Sequence, residues 1–208
     1  LLGGFNMTKE ELSFHWDYFT NISKDFEATD RYVSHTSLGS INNDETFSLE
    51  FLKLLMIICA EFETMCKLIN KHIDNTFNLK SKTDMPTLLS KIISTYPEIT
   101  DIEVTTSSRT TIKPLKNCFD KQNNLTLEWW TAHNHLKHQG HKNYNLATLK
   151  NVTNALASLY VLFAYMSREI QDAYIPFNTC TAILSKYTPM SIFASPDIEN
   201  IAYEPLEE

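Results

Sequence analysis

The sequence predicts an all-α fold: an up-down helical bundle of four main helices with extra short helices and an irregular C-terminal tail. Glycine and proline are scarce, at 4 and 7 of 208 residues, which argues against the many turns of a β-sandwich or barrel. Two long stretches carry apolar residues that step by three and four, the spacing of one helix face. Such faces must be buried against other helices, and a bundle is the fold that does so.

One domain is expected. Hydrophobic residues make up 43% and charged residues 21% of the chain, as in globular proteins, and the length suits one sizeable core. We therefore expect a single domain over residues 1–208, with a helical core at about 8–173. Four of the seven prolines fall in residues 174–208, which predicts the irregular tail.

The first two helices have clear start signals. Thr8-Lys-Glu-Glu11 fits a capping box, so a helix is expected from there through Phe26. Ser48 or Thr46 can cap the next helix, which we expect to end near Asn75. Its apolar seam consists of Phe51, Leu55, Ile58, Phe62, Met65 and Ile69.

Shorter elements should follow. Asp84 begins a helix that Tyr96-Pro97 stops, because proline disfavours helix in the residue before it. Residues 98–111 are rich in threonine, serine and β-branched residues, and they predict either one or two short strands or a loop. Residues 114–120 predict a helical turn.

Two helices end the predicted core. Thr126 is the expected N-cap of a helix that begins at Leu127 and that Gly140 breaks or kinks. Asn145 is the expected N-cap of the last long helix. The seam of that helix consists of Leu149, Val152, Leu156, Leu159, Phe163, Met166 and Ile170.

Charge is unevenly distributed. The net charge of −7 disfavours a general nucleic-acid binder. Residues 129–168, however, contain no acidic residue and hold four of the seven histidines. Two interpretations stay open: this stretch is mostly buried helix with few charges of either sign, or it forms a local site for an anion such as a phosphate.

Cellular location is inferred from cysteines and apolar runs. The four cysteines form no C-x-x-C pair and are typical of free thiols in a reducing compartment. No apolar run approaches the roughly 20 residues of a membrane span, and the N-terminus has no signal-peptide pattern. A cytoplasmic protein with no membrane partner is the expectation.

The segment most able to carry chemistry is Trp129–His141. On a helix, Trp130, Asn134 and His138 share one stripe, so polar groups continue a line that tryptophan begins. This layout predicts a half-buried groove, in which a histidine can titrate near neutral pH.

Three interpretations of this segment compete. The histidines and Asn134 can satisfy buried backbone groups near the Gly140 break. His135, His138 and His141 step by three, so they can begin a zinc or nickel site. The third interpretation is phosphate chemistry without a metal.

A family resemblance favours the phosphate chemistry. The element His133-Asn-His-Leu-Lys-His138 resembles the motif of the HEPN superfamily of helical bundles, in which an arginine, a polar residue that is often asparagine, variable residues and a histidine follow in order. His133 stands where that family has arginine. The pair Trp129-Trp130 and the run Asn154–Leu159 are also similar to an uncharacterised bacterial branch with this layout.

The resemblance implies a metal-independent ribonuclease that needs no cofactor and acts as a homodimer with facing motifs. The substrate's 2′-OH would cleave the RNA, with His138 as acid or base and Asn134 orienting it or the phosphate. His133 would replace the arginine, and Lys137 or Lys142 would supply charge. Active relatives belong to toxin–antitoxin, abortive-infection (phage-defence) and CRISPR systems, so RNA and an antitoxin or other protein partner are expected.

Aromatic residues and other functions complete the set of hypotheses. In the RNA hypothesis, an exposed Trp129 or Tyr144 can stack on a base; otherwise these rings belong to the core or to a dimer interface. The alternatives to a ribonuclease are a non-catalytic, dimeric helical interaction module and a histidine-based metal-binding protein.

Overall fold

The chain forms a helical bundle, which confirms the predicted all-α class. A computed structural model describes residues 7–36, 42–106 and 110–170. Within them, the main elements are α1 (Lys9–Ala28), α2 (Leu49–Ile73), α3 (Met85–Thr95), β1 (Val104–Thr105), β2 (Thr111–Ile112), α4 (Glu128–Asn143) and α5 (Leu149–Glu169). Three short 3₁₀ turns, Thr29–Arg31, Pro97–Asp101 and Tyr144–Leu146, join them. The predicted tail at 174–208 lies outside the described residues.

Helix α5 forms the centre of the bundle. Every residue from Ala155 to Met166 is buried, so this helix is covered on all sides rather than along one stripe. Helices α1, α2 and α4 pack against it. The predicted apolar seams of α2 and α5 are both buried. Helix α2 packs against α5, α1, α3 and α4. The apolar periodicity therefore identified the core faces correctly.

Aromatic side chains join α1 to α5. Trp16 meets Phe163 edge-on at 5.5 Å between ring centroids, and Phe19 lies 5.3 Å from the same ring. Tyr160 packs against both α1 aromatics at 6.3 Å. These large buried rings dominate the packing between the two helices.

Helix starts follow the predicted caps in the first half of the chain. The Thr8–Glu11 capping box is present. Ser48 and Asp84 cap α2 and α3 through their side-chain oxygens. Helix α2 ends at Ile73, close to the expected Asn75, and α3 stops before Pro97 at Tyr96. The expected strands at 98–111 are present as a two-stranded antiparallel hairpin.

Two predicted caps in the second half are wrong. The N-cap of α4 is Leu127, which provides no side-chain cap, while the Thr126 hydroxyl donates to the Asn117 carbonyl at 2.5 Å. The N-cap of α5 is Thr148 rather than Asn145. The Thr126 hydroxyl is used by a neighbouring segment and not by its own helix. Helix α5 does have a local cap, since the Thr148 hydroxyl accepts from the Asn151 amide at 3.2 Å. A helical turn is predicted at residues 114–120. The structure has a hydrogen-bonded turn at the start of this segment, in which the Lys116 amide donates to the Lys113 carbonyl.

The starts of α2 and α5 are held together by backbone hydrogen bonds. Phe47 and Thr148 form an isolated antiparallel bridge. The first backbone amides of α5 donate to carbonyls outside the helix. The Leu149 amide donates to the Thr46 carbonyl at 2.9 Å, and the Lys150 amide donates to the Asp44 carbonyl at 3.0 Å. Amides at a helix N-terminus have no partner within the helix, so the loop before α2 satisfies them. Among the described residues, no helix is long and apolar enough to cross a membrane.

Removing the Ser48 hydroxyl should destabilise the bundle. The hydroxyl accepts from the Phe51 amide at 3.0 Å, and losing such a cap costs about 1 kcal/mol. We expect Ser48→Ala to lower the free energy of unfolding by about that amount in urea denaturation. Ser13→Ala, on the exposed side of α1, is the matched control and should change it by less than about 0.5 kcal/mol. Equal effects of the two substitutions would contradict the cap assignment.

Candidate functional site

Helix α4 carries the candidate site, and two tryptophans anchor it. Trp129 meets Phe62 of α2 edge-on at 5.0 Å, and Trp130 lies 6.4 Å from the same ring. The two indoles are perpendicular to each other at 5.9 Å. This contact fixes which side of α4 faces the core.

Trp129 is therefore unavailable for base stacking. Its side chain is 2% exposed, so the expectation of an exposed Trp129 in contact with RNA is wrong. Tyr144 is half-buried and packs edge-on against Phe47 at 5.2 Å. Most of its ring is used in joining the α4–α5 connection to the loop before α2. Trp129 belongs to the core, as one of the competing interpretations held, whereas Tyr144 lies at the edge of the bundle.

His133 also lies in the core. It is 5% exposed, and its ring lies 5.0 Å from that of Trp130. Its Nδ1 is buried and has no hydrogen-bond partner within the described residues. Burial lowers the pKa of His133 below 6.5, helped by the positive charge of Lys137 and by His138 and partly offset by Glu63 of α2. A buried neutral imidazole is unsuited to the role of arginine, because arginine binds phosphate through a permanent charge.

Asn134 and His138 lie on the accessible side of the helix. Asn134 is half-buried and His138 is exposed. They are four residues apart within the regular part of α4, so their side chains project from one face. His135 and Lys137 are exposed as well. The sequence prediction that this face is reachable from solvent agrees with these positions.

The helix kinks one residue before the predicted break at Gly140. Gln139 has non-helical backbone angles, φ −144° and ψ 52°. The Asn143 side-chain amide donates to the carbonyls of His135 and Gln139, at 3.3 and 3.2 Å, and so bridges the kink. Because the kink lies at Gln139, residues 128–138 form one regular helical segment.

The alternative three-histidine metal site is not formed. Across residues 7–36, 42–106 and 110–170, no three His, Cys, Asp or Glu side chains are grouped so that they could hold a metal ion. The kink at Gln139 explains why α4 does not form this metal site. It interrupts the three-residue register between His138 and His141, so the three imidazoles do not converge.

A polar cavity lies beside the accessible face. It has a volume of about 440 Å³ and separates α4 from the start of α5 and the turn before α2. Its polar lining includes Glu45, Glu128, Thr131, His135, Asn145 and Lys150. Lys150 is paired with Glu128 at 2.8 Å. No pattern in the sequence predicts this cavity. Glu45 is far from α4 along the chain, and only the folded structure places it next to that helix.

The acid-free stretch has a structural explanation within α5. Residues 155–166 are buried in α5, where charges of either sign would be costly. The exposed cations of α4 are Lys137 and Lys142. The buried-helix interpretation therefore accounts for α5, and the anion-site interpretation concerns α4 alone.

Comparison with known proteins adds no relative. The chain matches no family model, no curated protein and no solved structure. The resemblance to the HEPN superfamily therefore stays a prediction from the motif.

Substituting His133 should flatten the pH dependence of stability. The folded-state pKa lies below 6.5, so near that pH the unfolded chain binds a proton that the folded chain does not. His133 thus contributes stability above about pH 6.5 that is lost as the pH falls through its folded pKa. We expect His133→Gln to lose less stability than the original chain between pH 7 and pH 5, measured by urea unfolding.

His35 contributes to the pH dependence as well, because burial lowers its pKa. It is present in both chains, so His133→Gln should reduce the pH dependence without abolishing it. An identical slope for His133→Gln and the original chain would show that His133 is protonated without cost, and hence that it is not buried.

Proposed function

We propose that this protein is a HEPN-like, metal-independent ribonuclease of a bacterial toxin–antitoxin or phage-defence system, acting in the cytoplasm as a homodimer. One observation carries the proposal. Asn134 is half-buried and His138 exposed, four residues apart on one side of α4. A polar cavity lined by other residues of the same helix, among them Thr131 and His135, lies next to this stretch.

The chemistry needs a base, an acid and positive charge. The base removes the proton of the ribose 2′-OH, whose oxygen attacks the phosphorus. The P–O5′ bond breaks, and the acid protonates the departing oxygen, so the products are a 2′,3′-cyclic phosphate and a 5′-OH. His138 of one copy serves as base and that of the second copy as acid, with Asn134 orienting the phosphate.

The positive charge comes from lysine in this proposal. His133 is buried and neutral at pH 7, so it packs in the core beside Trp130 of the same helix rather than contacting phosphate. Lys137 and Lys142 are exposed on the same helix, on either side of the kink. Their ammonium groups stabilise the negative charge that develops on the phosphate oxygens.

Cleavage of RNA in EDTA tests the proposal. Purified dimer should leave cyclic-phosphate ends, and His138→Ala should slow cleavage by about 10²- to 10⁴-fold. His141→Ala is the matched control, an exposed histidine beyond the kink, and should retain activity. His133→Gln should also retain activity, since its role is structural. RNA left intact by a folded dimer, or equal losses in the His138 and His141 variants, would contradict the assignment.

A non-catalytic interaction module is the second candidate, and the burial of two motif residues favours it. Trp129 and His133 pack into the core instead of reaching solvent, so this part of the motif can be retained for the fold alone. This function predicts that His138→Ala changes neither the mass of the dimer in solution nor its affinity for a protein partner such as an antitoxin. It also predicts that RNA stays intact. A loss of dimer or partner in that variant would count against it.

A further inference from the structure

We propose that the polar cavity beside α4 binds a nucleobase, with a preference for guanine, and thereby selects the nucleotide presented to His138. This inference deepens the proposed ribonuclease function and rests on it for the link to cleavage. Base binding itself can be measured independently. The cavity is formed by the regular part of α4, the start of α5 and the turn that contains Glu45.

The size and lining of the cavity suit a flat polar ligand. Its volume of about 440 Å³ falls in the usual range for small-molecule sites, about 300–1,000 Å³. Apolar surface comes from Ala132 and Leu146, and hydrogen-bonding groups surround it. This combination of an apolar surface with a few polar groups is typical of sites that fix the orientation of an aromatic ring system.

Glu45 provides the selectivity. Within the described residues its carboxylate makes no hydrogen bond and no direct ion pair. The charge of Lys150 acts on it, but the ammonium group of Lys150 is hydrogen-bonded to Glu128 at 2.8 Å. A carboxylate can accept two parallel hydrogen bonds. Guanine presents two adjacent donors on its Watson–Crick edge, N1–H and the N2 amino group, whereas uracil presents one donor flanked by two carbonyl acceptors. The unpaired carboxylate therefore favours guanine and disfavours uracil.

His135, Thr131 and Asn145 complete the site. The exposed imidazole of His135 lines the cavity and can stack on a base. The Thr131 hydroxyl and the Asn145 amide also line it, and each can both donate and accept a hydrogen bond. The remaining carbonyl and ring nitrogens of guanine need such donors.

The position of His138 connects the cavity to the reaction. His135 and His138 are three residues apart in the regular segment before the kink. At a rise of 1.5 Å per residue, their backbones are about 4.5 Å apart along the helix axis. A base held against His135 therefore places its ribose and phosphate within about one helical turn of His138.

Nucleotide binding is the first test. Guanosine, adenosine, cytidine and uridine 5′-monophosphates carry the same phosphate, so differences among them report the base. Titration followed by NMR should shift the amides of Thr131, His135 and Asn145 with the guanosine nucleotide and much less with the uridine nucleotide. Glu45→Gln should weaken guanosine nucleotide binding about tenfold or more, because a charge-assisted pair of hydrogen bonds is lost. Glu45 is exposed in a turn, so this variant should fold.

Glu10→Gln is the matched control, since Glu10 is an exposed glutamate at the start of α1. It should leave binding of the guanosine nucleotide unchanged. Equal shifts for the four nucleotides, shifts outside the cavity, or unaltered affinity in Glu45→Gln would overturn the base-binding site.

Cleavage of RNA separates this inference from the proposed function. The original chain should cut next to guanosine. Glu45→Gln should cut more slowly and without that preference, and its residual cleavage should disappear when His138→Ala is added. Cleavage without a base preference, unaffected by Glu45→Gln, would overturn the inference and leave the ribonuclease standing. Guanosine nucleotide binding without cleavage of any RNA would overturn the ribonuclease and leave the binding site standing.

Discussion

The burial of α5 on all sides is the constraint on which the rest of the structure depends. Twelve consecutive residues, Ala155–Met166, are removed from water, and each large apolar side chain among them contributes about 1.5–3 kcal/mol of burial free energy. Helices α1, α2 and α4 must surround this helix to realise that contribution. The path of α4 is thereby fixed, and the two tryptophans at its start pack against Phe62 of α2.

This packing divides the polar segment of α4 into two environments. Consecutive residues of a helix are separated by about 100° of rotation, so neighbours in sequence can face opposite surroundings. His133 enters the core beside Trp130, while Asn134 stays half-buried and His138 is exposed. The buried imidazole packs in the core, and the exposed one is in contact with solvent. Two histidines of one segment therefore have different environments for a purely geometric reason.

The source of positive charge is the main difference between the proposed ribonuclease site and the HEPN motif that it resembles. An arginine at position 133 would supply a permanent charge in its family role, whereas a neutral histidine in the core does not. The proposed ribonuclease therefore relies on exposed lysines of α4, which are less well ordered for phosphate binding than arginine. In the same proposal, a base held in the cavity next to α4 would position the phosphate without relying on charge.

The sequence by itself determined the helices and the faces that they bury. Caps such as Thr8, Ser48 and Asp84 act within one turn of their own helix, and the seams of α2 and α5 follow the helical period, so local patterns were sufficient. The start of α4, the burial of Trp129 and His133, and the Glu45 cavity were decided by the tertiary structure. These features depend on which distant segments meet, such as the loop before α2 pairing with residues 147–150. No local pattern encodes such a meeting, because its free energy comes from contacts between residues far apart in the chain.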